Sequence, residues 1–398
     1  MLALQIVCFM LSLLSFLLLI HTYWLYPKLI VRLSYNAQPF PPNGGGESLP
    51  TIAVIVAAYN EEKYIGQKIL TTLHTDYPLH KLKLYVGSDA STDQTNAIVA
   101  KYLNQYPDNI VFKHFETRTG KPEIVNQLAA IAAQEILVLT DSDTMFNTFT
   151  LNELIKPFAD STVGGVQAHI EMGQPETADT TVFRQEYEFN TREMLIKKSQ
   201  STDGCIIGAN GPCYALRKTL YQPVPPYFSV DDFFIFMNIL KKGYKTVYAD
   251  DATCSMDVSG ESKLQFRRKM RMGTGNYANL FYFKSMLNPF KNKINYHYFS
   301  HKVLRWITPF LLIVLLVSNL ILTPHHLIFQ ITFGGQMLFY ALALLDFFCL
   351  RAFNIHNRTL RYISHFVLMN LAFLMGFKNY IEGNTVGFWN NRPPQRTI

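Results

Sequence analysis

Two aspartates separated by one residue, Asp141-Ser142-Asp143, directly follow the apolar run Glu135 to Thr140. In an extended backbone, residues i and i+2 point to the same side. Two carboxylates on one side make a hard-oxygen site for Mg2+ or Mn2+, with open positions that suit a diphosphate. The plain alternative is an Asx turn with solvated carboxylates. A second acidic pair, Asp231-Asp232, precedes Phe233-Phe234-Ile235-Phe236-Met237. Paired carboxylates repel, so one has its pKa raised toward a value useful in a general base. A helix cap with a dipole-stabilising acid would use the same residues, and both roles are compatible. Asp89 ends another apolar run, in Gly87-Ser88-Asp89-Ala90-Ser91-Thr92-Asp93-Gln94-Thr95. There it can accept hydrogen bonds from a ribose or base, while Asp93 or Ser91 caps the next helix. Lys121 follows Gly120 and precedes a helix containing Asn126. It can meet phosphate charge at that helix N-terminus, or stand exposed in a loop.

Gln265-Phe266-Arg267-Arg268-Lys269-Met270-Arg271 opens a basic stretch in which Phe266, Met270, Tyr277 and Phe281 recur near helical spacing. Such a helix can lie on an anionic membrane face, its arginines can grip a diphosphate, or it can be a solvated basic face. Its place beside apolar segments and the modest net charge of +7 argue against nucleic acid as a partner. Asn210-Gly211-Pro212-Cys213 contains a Gly-Pro turn, with Cys213 read as a small buried residue. His325-His326 has no third ligand nearby in sequence and reads as surface. The 5 cysteines are scattered without a CxxC pair, which excludes a disulfide scaffold and a zinc finger and fits a reducing compartment.

The elements that must hold these residues follow from apolar patterning. Thr51 to Ala58, Lys83 to Ser88, Asn109 to His114 and Glu135 to Thr140 read as strands. Ile65 to Leu73, Thr95 to Leu103 and Glu123 to Ala133 read as helices. Alternating helices and continuous apolar strands predict a mostly parallel sheet covered on both faces. Ligands bind such sheets beyond the carboxyl ends of the strands. That is where Tyr59-Asn60-Glu61, Asp89 and Asp141-Ser142-Asp143 fall.

The chain has 398 residues, 49% of them hydrophobic and only 16% charged. A soluble domain carries roughly 25% charged residues, so a purely soluble or disordered chain is excluded. The excess lies at the ends. Leu2 to Tyr26 is uncharged and long enough to span a bilayer, and it lacks the basic start of a signal peptide. Lys28 and Arg32 follow it, so the positive-inside rule places the N-terminus outside and the middle of the chain in the cytoplasm. Three further apolar stretches run about Ile307 to Leu322, Leu327 to Leu350 and Tyr362 to Phe377. The first and last are short and need tilt, re-entry or flanking residues. Arg351, Arg358 and Arg361 would make the last loop cytoplasmic, while Lys378, Arg392 and Arg396 sit less easily in an outside tail. The Pro39-to-Gly46 stretch reads as a linker. The expected organisation is a spanning helix at 1–27, a linker at 28–50, a catalytic domain at 51–258, a basic amphipathic segment at 259–305, spanning helices at 306–378 and a tail at 379–398.

The order Tyr59-Asn60-Glu61, Asp89, Gly120-Lys121 with Asn126, Asp141-x-Asp143, Asp231-Asp232 and Gln265-x-x-Arg268 resembles the membrane-integrated family 2 glycosyltransferases. That group holds the cellulose, chitin, hyaluronan and poly-N-acetylglucosamine synthases. The resemblance covers about Ile52 to Arg271 and the flanking membrane segments. It implies an α/β fold: a GT-A (Rossmann-like) domain on the cytoplasmic side, flanked by one N-terminal and about three C-terminal transmembrane helices. It also implies a UDP-sugar donor, Mg2+ or Mn2+, and a bacterial inner membrane. By this resemblance Tyr59, Glu61, Asp89 and Lys121 hold the uridine end of the donor, with Asp141 and Asp143 on the metal-diphosphate. Asp232 is the general base of an inverting transfer, and Arg268, with Gln265, Asp231 and Gly211, serves the diphosphate and acceptor side. Gly211-Pro212-Cys213 resembles a segment of chitin-oligosaccharide synthases and favours an N-acetylhexosamine.

The processive members carry Gln-x-x-Arg-Trp, and here Lys269 stands in place of the tryptophan that would stack on the acceptor sugar. Two products therefore stay open: an exported polysaccharide, with or without partner proteins, and a single transfer to a lipid or lipid-linked acceptor. A catalytically silent scaffold is a third class. The intact Asp89, Asp141, Asp143 and Asp232 argue against it.

Overall fold

The computed structural model describes residues 2–35, 49–173, 180–226, 228–256, 262–350 and 357–384. The expected Pro39-to-Gly46 linker, Arg351, and the tail beyond Asn384 with Arg392 and Arg396 lie outside them. The chain forms two units, one from residues 1–30 and 261–384, the other built on residues 31–260. It opens with α1 (Leu2–Ile20), a π-helical turn (His21–Leu25) and α2 (Tyr26–Ser34).

The middle unit alternates strands and helices. They are β1 (Ile52–Ala58), α3 (Ile65–Leu73), β2 (Leu82–Asp89), α4 (Thr95–Gln105), β3 (Ile110–Phe115), α5 (Lys121–Ile131), β4 (Ile136–Thr140) and β5 (Thr144–Phe146). There follow α6 (Thr150–Ile155), β6 (Val163–Met172), α7 (Thr180–Thr202), β7 (Cys213–Arg217), α8 (Asp231–Lys241) and β8 (Lys245–Met256). One 8-stranded sheet has the order β3-β2-β1-β4-β7-β6-β8-β5. Every residue of β1 and β4 is buried, as strands covered on both faces require.

The first half of the sheet is parallel, as its apolar runs predict. The register sets Ala58 beside Ser88 and Val56 beside Thr140, so the polar residues after β1, β2 and β4 emerge at one edge. The second half departs from a simple parallel plan. β7 runs antiparallel to both β4 and β6, and β5 antiparallel to β8. The chain is already at the carboxyl edge when β7 begins, with Cys213 opposite Thr140, so β7 must run away from it. That places Gly211 and Pro212 beside Asp141, whose N–H donates to Pro212 O at 3.1 Å. α8 is locked by an edge-to-face contact between Phe236 and Tyr214 of β7, ring centroids 5.5 Å apart.

The C-terminal helices are α9 (Ser262–Tyr282), α10 (Lys293–His297) with a π-helical continuation to Val303, α11 (Leu304–Leu322), α12 (Leu327–Leu344) with a π-helical end, and α13 (Arg358–Ile381). Among the described residues four helical runs are long and apolar enough to cross a membrane: Leu2–Ser34, Lys293–Leu322, Leu327–Phe348 and Arg358–Ile381. The first of the two stretches that looked short in sequence is lengthened by polar residues whose partners lie on the N-terminal helical run. Tyr26 OH pairs with His297 Nδ1 at 2.9 Å, His21 Nε2 with Ser300 Oγ at 3.0 Å, and Ser12 Oγ donates to Asn319 Oδ1 at 2.7 Å. In a bilayer such groups must find partners inside the protein. Asp346 is fully buried, accepts from Ser364 Oγ at 2.5 Å and faces Arg361 Nε at 3.5 Å. This ion pair ties the end of α12 to α13.

Residues 262–305 form several elements where the sequence led to one amphipathic segment. Residues 273–280 of α9 are buried, with Tyr277 against Phe377, and beyond them the exposed Phe281 stacks on Tyr380. α9 and α13 cross backbone to backbone at Gly273 and Gly376. A Cβ on Gly376 would stand 2.8 Å from Met270 O and Thr274 N. Gly376→Ala is therefore expected to cost roughly 1–3 kcal/mol through overpacking. The check is thermal unfolding of the detergent-purified chain; an unchanged midpoint would mean the helices do not cross there.

Candidate active site

At the carboxyl edge, the loops after β1 and β2 are bound to each other. Asn60, at φ 53°, accepts from Thr92 N at 2.8 Å, and its own N–H donates to Ser91 Oγ at 3.1 Å. Asp93 accepts from Thr95 N at 2.9 Å and Glu62 N at 3.1 Å, so it does satisfy the start of α4. Ala90, at φ 54°, turns the chain sharply after Asp89, a left-handed conformation that costs about 1–2 kcal/mol in a non-glycine residue.

Asp89 is fully buried and accepts from Arg118 Nε (3.1 Å), Thr119 N (2.6 Å), Thr119 Oγ1 (3.2 Å) and Gly120 N (3.1 Å). Here a carboxylate holds the 118–120 loop in place. Gly120 has φ 87°, a conformation glycine adopts without penalty, and it is the residue before α5. The guanidinium of Arg118 lies 3.3 Å over the Tyr59 ring, and its Nη2 is buried with no hydrogen-bond partner among the described residues. Arg118 thus joins Tyr59, by stacking, to Asp89, by a hydrogen bond, with one guanidinium nitrogen unsatisfied among the described residues. Glu61 is buried, and its carbonyl receives the first backbone bonds of α3.

Lys121 is the first residue of α5, and its Nζ lies 2.6 Å from Asp141 Oδ1. Burial alone would lower its pKa, but Asp141, Asp231 and Asp232 outweigh it and hold the ammonium charged. Asp231 and Asp232 open α8, after Val230 as N-cap, and Asp232 Oδ1 accepts from Phe233 N at 2.7 Å. Asp231 is buried, and its Oδ2 has no hydrogen-bond partner among the described residues. Desolvation, then the neighbouring Asp231, push Asp232 up to about 6 against the pull of Lys197 and Lys121. Gly211 stands between the acids. A Cβ there would be 3.4 Å from Asp232 Oδ2 and 4.0 Å from Asp141 Oδ2. Two acidic centres therefore face the same small space across a residue with no side chain.

Asp141 and Asp143 are partly exposed at the cleft and fit a hard divalent cation. Among the described residues no group of three or more His, Cys, Asp or Glu could hold a metal. The protein would supply two carboxylates and leave the remaining positions to a diphosphate, the usual arrangement for Mg2+.

A family profile described as "Glycosyltransferase like family 2" matches residues 50–275. The chain belongs to that family. A beta-monoglucosyldiacylglycerol synthase from Nostoc sp. is 30% identical over 121 residues, covering 30% of this chain and 26% of that protein. A hyaluronan synthase from Streptococcus pyogenes is 22% identical over 260 residues, covering 62% of this chain and 61% of that protein. The chain spans less than two thirds of the length of the curated relatives it matches. In fold it matches the mannosyltransferase PcManGT from Pyrobaculum calidifontis, solved with GDP-Man and Mn2+. That match covers 95% of this chain and 99% of that one, at 20% identity and a TM-score of 0.68.

In this family member, Tyr59, Glu61, Asp89, Lys121, Asp141, Asp143, Gly211, Asp231 and Asp232 all lie on the middle unit at or near the carboxyl edge. Arg268 is exposed on α9 of the helical unit, and the side chain of Gln265 lies outside the described residues. Asn126 braces the approach to α8, accepting from Tyr221 OH at 2.7 Å and Val224 N at 2.8 Å. Two residues join the site that sequence did not single out. One is Arg118, whose signal was a cation just before Gly120-Lys121. The other is Lys197 of α7, 1% exposed, with Nζ 2.5 Å from Asn210 Oδ1 and its charge favouring the ionised form of Asp232. Its lysine-rich helical setting gave no local sign of burial.

Proposed function

We propose that the chain is an inverting glycosyltransferase that takes a sugar from a UDP-sugar, with Mg2+ or Mn2+, and adds it to a growing polysaccharide at a membrane. The observation that carries this is the meeting of Asp232 and Asp141 across Gly211, with Lys121 on Asp141. Tyr59, Glu61, Asp89 and the spare Arg118 donor bind and orient the nucleoside. Lys121 and the N-terminus of α5 offset diphosphate charge. A cation bound by Asp141 and Asp143 would stabilise the departing diphosphate. Asp232 accepts the proton of an acceptor hydroxyl as that oxygen attacks the anomeric carbon from the side opposite the diphosphate. Asp231, with its unpaired oxygen, orients the acceptor. The Gly211-Pro212-Cys213 segment favours an N-acetylhexosamine. The four apolar helices support an integral membrane protein, with the middle unit on the cytoplasmic side of a bacterial inner membrane.

Lys269 in place of the aromatic of processive members favours a second product, one sugar on a lipid or lipid-linked acceptor. The similarity to a glucolipid synthase supports the same alternative. The deciding experiment incubates membranes holding the full chain with radiolabelled UDP- and GDP-sugars and Mg2+ or Mn2+. Labelled product of high molecular weight is the expected result. A short, lipid-extractable product would establish the alternative, and no nucleoside diphosphate released from any donor would overturn both.

A further inference from the structure

Lys68 of α3 is 0% exposed, the more unusual because a buried ammonium is costly. Its Nζ donates to Thr140 Oγ1 at 2.9 Å and to Thr144 O at 2.6 Å, and lies 3.4 Å over the Phe146 ring centroid. Thr140 is the last residue of β4 and Thr144 the first of β5, with only Asp141, Ser142 and Asp143 between them. One buried cation therefore clamps both ends of the loop that carries the two carboxylates. The bond that closes the loop on itself, Thr144 N–H to Asp141 O, is long at 3.4 Å, and the two acids repel each other. Burial draws the Lys68 pKa down to about 8, and Cys213, Cys254, Asp141 and Asp143 oppose that shift. A methionine would fill the same space without the cost of desolvating a charge, so packing gives no reason for a lysine here.

We infer that Lys68 is the positioning residue of the Asp141–Asp143 loop, setting from beneath the aim of both carboxylates at a diphosphate-bound cation. This rests on that loop being the cation site of the proposed transferase. Lys68 itself touches neither donor nor acceptor. It acts through Thr140 and Thr144, as the residues that orient metal ligands do elsewhere, where their loss weakens metal affinity by about 10–100-fold.

The test measures Mn2+ binding by electron paramagnetic resonance on the purified full chain, with UDP or GDP present and absent, alongside thermal unfolding. Asp143→Ala checks the cation site itself and is expected to abolish nucleotide-dependent Mn2+ binding. Lys68→Met is expected to unfold at a temperature no lower than the parent and to bind Mn2+–nucleotide at least about tenfold more weakly. Thr140→Val removes one anchor and should give an intermediate loss. It decides the matter if Lys68→Met does not fold. If Asp143→Ala loses Mn2+ while Lys68→Met and Thr140→Val bind like the parent, the positioning role is overturned and the cation site stands. If Asp143→Ala binds Mn2+ normally, the cation site fails and the inference falls with it.

Discussion

Asp232→Asn is expected to bind nucleotide as the parent does and to lose turnover by about 10²–10⁴-fold, the usual contribution of a positioned general base. Asparagine keeps the shape and can still accept from Phe233 N–H, but it cannot take a proton. The pH dependence tests the same residue from another side. With Asp232 held at about 6, kcat/KM should fall as pH drops through that value, because the protonated acid is no longer a base. The causes are separable. Asp231→Asn removes a like charge and should move the acidic limb to lower pH. Measured as kcat/KM between pH 4.5 and 8, wild-type turnover in Asp232→Asn would remove Asp232 from the chemistry.

Gly211→Ala is expected to fold normally and to lower kcat/KM by about 10²-fold, on the scale at which a misplacement of about 1 Å acts on a bound reactant. The backbone allows the change, since Gly211 is not among the positive-φ glycines. The free protein has room as well, because the new methyl would meet Asp232 Oδ2 at 3.4 Å and Asp141 Oδ2 at 4.0 Å, close to ordinary contact. That methyl would occupy the space between the base and the diphosphate-side acid, where the transferring sugar has to lie. Nucleoside diphosphate affinity should hold while transfer falls. Parent-like kcat/KM would show that the sugar does not pass over Gly211.

The residues that open the site were legible because their signals are local. An apolar run ending in an acid is a buried strand with a polar tip, whatever the rest of the chain does. β1, α3, α4, β4 and the acids after them follow from stretches of about ten residues. The helices long and apolar enough to cross a membrane were legible for the same reason, although their full lengths were not. His297 and Ser300 look too polar for a membrane until Tyr26 and His21 are found beside them.

What the sequence left open depends on residues far apart in the chain. Nothing in the residues flanking Lys68, Lys197 and Arg118 marks them as part of a site. Lys68 becomes a clamp because β4 and β5, over seventy residues later, close over α3 and offer it two oxygens. Lys197 turns inward because the chain after α7 brings Asn210 back against it. Asp89 looked like a ligand for ribose, and the folded chain also gives its carboxylate the backbone of Thr119 and Gly120 to hold. The reversal of β7 had no local signature either, yet it alone sets Gly211 between Asp141 and Asp232. Strand and helix identity rests on the spacing of apolar side chains within one segment. The protonation and aim of the acids rest on burial and partner charges, which exist only once distant segments have packed together.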